Sequence, residues 1–178
     1  SYDGSPARFV AANGEIAQQG FASSEPYNYE RVFEDWARPV KYQLVHDAGF
    51  QAYSQPLAIR SSELDDARPC LELLVPIVQQ AVIDFVSAPE RANAIIVDTV
   101  ATFDVGWVYS EGLADFSTSA MRELGLKSNG HDAIVGNFDM NRVQGVIDAM
   151  AAAGMDTPEG LVADDIVSNE FIDTTIGF

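Results

Sequence analysis

Every segment of this 178-residue chain that alternates like a strand lies before Ser61, and everything after the Ser61-Ser62 pair reads as helix. Residues 15–21 read as a short strand that runs into a helix. In 40–45, Tyr42 and Leu44 alternate with Lys41 and Gln43, a period of two, and 55–60 reads as one more strand. Between the last two lies a polar, glycine-bearing connection, 46–53. The helical patterns are longer. Ser5-Pro6 opens a short one that Asn13-Gly14 ends, and 25–36 places Tyr29, Val32, Phe33 and Trp36 on one face. Residues 68–86 form a long apolar pattern starting at Pro69, with Pro76 inside it, where a missing donor should kink or split the helix. Further helices are expected from Glu90 to Phe103, from Glu111 (capped by Ser110) to a stop at Gly125, and over 140–153, closed by Gly154. Short final turns begin near Thr157 and Asp164. Three strands followed by four or five helices make a poor self-contained α/β sheet, because parallel strands need neighbours and covered faces. The pattern therefore reads as part of a larger sheet.

The charge narrows the partners. Ten Lys and Arg against 27 Asp and Glu give a formal net charge of −17. Such a surface repels phosphate backbones and anionic lipid, so nucleic acid and membrane surfaces are disfavoured, and direct membrane insertion is not expected. An acidic solvated coat that keeps the protein soluble accounts for the same numbers. No uninterrupted apolar run reaches the length of a membrane span. The single cysteine, Cys70, rules out an internal disulfide and reads as an inert core residue within an apolar helix.

Catalytic constellations are thin. His46 and His131 each neighbour an aspartate, Asp47 and Asp132, but adjacent residues seldom face each other productively. None of the standard zinc, dithiol, nucleophile-elbow or phosphate-loop motifs occurs, and the carboxylates are not at calcium-loop spacing. The expectation is a protein without enzymatic activity, metal or organic cofactor.

Binding residues are easier to nominate. Over 18–30 (QQGFASSEPYNYE) a strand meets a helix start, with Ser24 as N-cap, Pro26 in the first turn, and Glu25 and Glu30 near the positive end. Such a junction leaves backbone N–H groups able to receive an anion or polar group. Ser23, Ser24, Glu25 and Tyr27 are the candidate ligand-binding residues there, and Tyr53 could stack on a planar ligand. The plainer roles are an ordinary strand-to-helix turn, a first-turn acid at Glu25 and a packing tyrosine at Tyr53. Asp104, Trp107 and Tyr109, at an inter-helix break, read as packing rather than ligand contacts.

The same 18–30 segment resembles the QGF-x-x-SEP-x-x-YE stretch of solute-binding proteins of ABC importers, of the nitrate/taurine and thiamine-precursor type. The resemblance continues in order through 36–42 (WARPVKY), 74–81 (LVPIVQQA), 107–110 (WVYS), 124–130 (LGLKSNG), 136–143 (GNFDMNRV) and 168–173 (SNEFID). It implies an α/β fold of the periplasmic-binding-protein-like type II class, present here as the C-terminal portion of a two-lobed receptor. Residues 1–50 would end the second lobe, and 51–178 would return to the first and wrap it with helices. The implied function is capture of a small polar organic solute in an interlobe cleft. The implied partners are an ABC permease and the N-terminal half of the receptor or a second copy, in a periplasmic or extracellular membrane-anchored setting. A non-transport sensor or structural module on the same fold is the alternative. One enzymatic branch, making a thiamine pyrimidine, carries a cysteine-rich motif that a chain with Cys70 alone does not match.

Overall fold

A computed structural model describes residues 5–104 and 108–178, and the described chain is helical. The helices are α1 (Ala7–Ala11), the single turn α2 (Glu25–Tyr27), α3 (Leu64–Ser87), α4 (Glu90–Phe103), α5 (Glu111–Glu123) and α6 (Met140–Ala152). A π-helical turn, Asn28–Val32, continues α2, and 3-10 turns occur at Ser61–Glu63 and Ala163–Asp165.

The expected α/β, periplasmic-binding-protein-like architecture is not formed: no strand and no sheet occurs among the described residues. Alternation alone does not make a strand; its N–H and C=O groups need a neighbouring chain to form a ladder. None is supplied to 15–21, 40–45 or 55–60. The second of these instead ends in local turns, with Asp47 N–H donating to Leu44 O at 3.0 Å and Phe50 N–H to Val45 O at 3.2 Å. Several of their apolar side chains stay exposed, Phe21, Tyr42, Val45 and Leu57 among them.

The helices follow their sequence signals more closely. Ser110 Oγ accepts from Leu113 N–H at 3.2 Å and starts α5, and Asp139 caps α6 by accepting from Asn141 and Arg142 N–H. Gly125 and Gly154 adopt positive φ just past α5 and α6. Three details differ from expectation. α3 runs unbroken through Pro76, and Cys70 on it is exposed rather than in the core. The helix expected over 25–36 ends at Phe33, whose φ and ψ are extended, after the π turn.

The chain divides into two compact units, Ser1–Tyr42 with Ala88–Leu126, and Gln43–Ser87 with Lys127–Phe178. In the first, α4 packs on α5, whose Leu113, Ala114, Ser117, Thr118 and Ala120 are buried. Phe9, Tyr29, Phe33 and Trp36 form an aromatic cluster there, with ring centroids 4.9–6.0 Å apart. Arg38 lies 4.0 Å over the Trp36 ring and donates to Asn13 Oδ1. Gly14, at positive φ, leaves the space that Trp36 fills.

In the second unit, Val143, Ile147 and Ala163 are buried together, with Tyr53, Phe138 and Leu161 against them. Gln79, in the middle of α3 and 3% exposed, donates to Val135 O (2.8 Å) and Asp173 O (3.2 Å) and accepts from Asp173 N–H (2.9 Å). Arg68 pairs with Glu170. By length and composition the Ser61–Ser87 stretch would suffice to cross a membrane. In this fold its inner face holds chain segments through those polar contacts.

Candidate functional site

Tyr27, Glu30, Arg31 and Phe116 line a hollow of about 490 Å³ in the first unit, broadly open to solvent. Tyr27 closes the first helical turn, and Glu30 and Arg31 follow three and four residues later, so all three share one side. The intervening turn is π-helical, with Phe33 N–H donating to Asn28 O at 2.8 Å, a widening that recurs at functional sites. Phe116 comes from α5, its ring 5.6 Å from that of Tyr27 and tilted 40°. The Glu30 carboxylate and Arg31 guanidinium are 3.1 Å apart, the Arg31 side chain largely exposed and Glu30 less so. Two aromatic faces and a side-by-side pair of opposite charges thus border one space.

Glycine at 112, in the first turn of α5, makes this arrangement possible. A methyl group built there would overlap the Tyr27 hydroxyl. Ser117 Oγ donates to Ser23 O at 2.8 Å and fixes the 21–24 turn against α5.

The residues nominated from sequence are placed as follows. Ser23, Ser24, Glu25 and Tyr27 are brought together in one turn, of which Tyr27 lines the cavity. Ser24 makes no side-chain cap; its Oγ accepts from Asn28 Nδ2 at 3.2 Å. Glu25 folds back so that its carboxylate accepts from Phe21 N–H at 2.5 Å, and Gly20 leaves room for it. Tyr53 belongs to the other unit. Its hydroxyl accepts from Asp139 N–H at 2.9 Å, its ring meets Phe138 edge-on, and the Arg142 guanidinium lies 4.0 Å from its centroid. Asp104 ends α4 in the left-handed region, and Trp107 lies outside the described residues. Glu30, Arg31 and Phe116 were not nominated. The spacing of Tyr27, Glu30 and Arg31 could have grouped the first two of these with Tyr27; nothing local announces that Phe116 joins them.

The two histidines differ. His46 lies in a turn where its carbonyl accepts from Gly49 N–H. His131 lies 3.6 Å from Asp132 Oδ2 and 3.9 Å from Asp139 Oδ2. Asp132 is held below the ordinary carboxylate range chiefly by Ile134 N–H; burial opposes this as the next largest effect, and Asn137 Nδ2 and the nearby His131 add to the lowering. No group of three or more metal-ligating side chains occurs among the described residues. No family model, curated protein or solved structure matches this chain.

Proposed function

We propose that this protein captures a small polar organic solute, without turning it over, in the cavity bounded by Tyr27, Phe116, Glu30 and Arg31. The observation that carries the reading is the pairing of two aromatic faces with adjacent opposite charges around about 490 Å³. Rings supply apolar contact at little entropic cost, while a carboxylate and a guanidinium orient donor and acceptor groups on the solute. Glu30 also closes the 18–30 segment that resembles importer solute-binding proteins, which extends the proposal to an extracytoplasmic capture component that hands its solute to an ABC permease.

On this reading Glu25 takes the plainer of its two sequence-based roles, that of a structural acid in the turn. Glu25 holds the turn, and Arg31 and Phe116 hold the solute. A thermal-shift screen of small polar organic solutes, followed by isothermal titration of the hits, tests this. Phe116→Ala and Arg31→Gln should each weaken a hit by about tenfold or more, the scale of one lost charged or stacking contact. Glu25→Gln should lower the apo melting temperature and leave affinity within about twofold. A hit whose affinity ignores Phe116 and Arg31 but falls with Glu25→Gln would sink the proposal.

A further inference from the structure

The outward side of α3 carries an apolar stripe with an acid at each end. At 3.6 residues per turn, Asp66, Cys70, Leu73, Ile77, Ala81 and Asp84 fall along one strip of the helix, and all six are exposed. Leu73 is 72% and Ile77 64% exposed, and Leu74 and Val78 widen the strip beside them. The opposite side is the one that packs, through Leu71, Gln79 and Val86. Amphipathic helices normally turn such a stripe inward. Here α3 has an apolar side in addition to its packed one.

Charge decides what can cover it. From Asp66 to Asp84 the helix rises about 27 Å, so the stripe ends in two carboxylates that far apart. Gln80 Nε2 donates to Asp84 at 2.8 Å and holds that carboxylate in place. The helix has one cation, Arg68, and it is turned away to Glu170 and Phe171. A second copy laid antiparallel would set Asp66 against Asp84, and laid parallel would set each acid against itself. Both arrangements join like charges on molecules that each carry −17. An anionic bilayer is repelled for the same reason.

We propose that this face docks an amphipathic helix of a partner protein whose apolar stripe spans about three turns and carries Lys or Arg at both ends. The apolar strip is roughly 300 Å², which belongs to weak, exchanging complexes rather than obligate ones. The site is separate from the solute cavity and does not depend on it.

Two synthetic peptides of about 20 residues test the proposal. They share a leucine stripe at helical spacing, one with Lys and the other with Glu at both ends. Fluorescence anisotropy with the whole chain at low salt should show the Lys-ended peptide binding at least about tenfold more tightly. Ile77→Glu should abolish binding. The double variant Asp66→Asn, Asp84→Asn should narrow the preference for the Lys-ended peptide severalfold, and what remains, due to the rest of the acidic surface, should fade as salt is added while the wild-type preference fades less. Bound peptide should also slow alkylation of Cys70, the sole cysteine, which lies within the stripe. These side chains are exposed, and far-UV circular dichroism checks that each variant keeps its helices. Three results would overturn the proposal: no peptide binding, equal binding of both peptides, or coverage of the face by something else. The last would show as a dimer in sedimentation that Ile77→Glu dissociates, or as flotation with phosphatidylcholine/phosphatidylglycerol vesicles.

Discussion

Two buried amides, Gln79 and Asn93, show how the same chemistry takes opposite signs. Gln79 uses both ends of its amide on Val135 and Asp173. Asn93 is 5% exposed on α4, and neither its Oδ1 nor its Nδ2 has a partner among the described residues. Removing Gln79 orphans two carbonyls and one N–H, whereas removing Asn93 deletes two polar atoms that were already desolvated without return. Gln79→Leu should therefore lower stability by about 2–3 kcal/mol, and Asn93→Leu should raise it by about 1 kcal/mol. Urea unfolding of both, followed by circular dichroism, decides; a matching sign for the pair would refute the argument. Asp132 adds a pH dependence. Its folded pKa lies below the ordinary value, so its contribution is complete above that value and is lost as pH falls through the lowered one. The Ile134 amide, which donates to Asp132, should keep its protection from hydrogen exchange down to about pH 4 and lose it below. Asp132→Asn should bring that loss to neutral pH.

The helices were legible because their ends are set by local chemistry. Ser110, Gly125 and Gly154 each act within one turn of where they stand. The three expected strands were not legible as what they are, because period-two alternation reports only a possible face. Whether a ladder forms depends on chain elsewhere, and residues 15–21, 40–45 and 55–60 find none. The candidate site divides in the same way. Tyr27 could be named from the junction, whereas Phe116 meets it only through the packing of α5. The role of Gly112 follows from that packing. Alanine inside a helix ordinarily stabilises by about 0.5–1 kcal/mol over glycine. At 112 the added methyl meets the Tyr27 hydroxyl, a flexible side-chain tip that can swing aside. Gly112→Ala should then leave the melting temperature nearly unchanged while weakening solute binding severalfold, read by titration against the unsubstituted protein. A gain in stability with full affinity would show that Tyr27 does not need that position.

At the scale of the whole molecule, charge and apolar exposure oppose each other. Among the described residues, no large side chain is fully buried, and Leu73, Ile77, Phe103 and Val108 are each more than 60% exposed. A formal charge of −17 keeps such surfaces apart at neutral pH through mutual repulsion, which is screened beyond about 10 Å at 0.1 M salt. The repulsion must vanish near the isoelectric point, about 4.1, where carboxylates take up protons. Light scattering should rise steeply as pH falls from 6 toward about 4, and added salt at pH 6 should move the onset upward in pH. Acid loosening of the Asp132 loop could raise scattering by a different route, so the two need separating. Association of folded molecules leaves the helical circular dichroism intact at the onset, and resuspension at pH 7 reverses it. Unfolding loses the signal first. Ile77→Glu, which interrupts the α3 stripe and adds a charge, should shift the onset to lower pH without changing the neutral-pH spectrum. Scattering that stays flat through pH 4, or an onset indifferent to Ile77→Glu, would show that this face has no part in holding molecules together once the charge is gone.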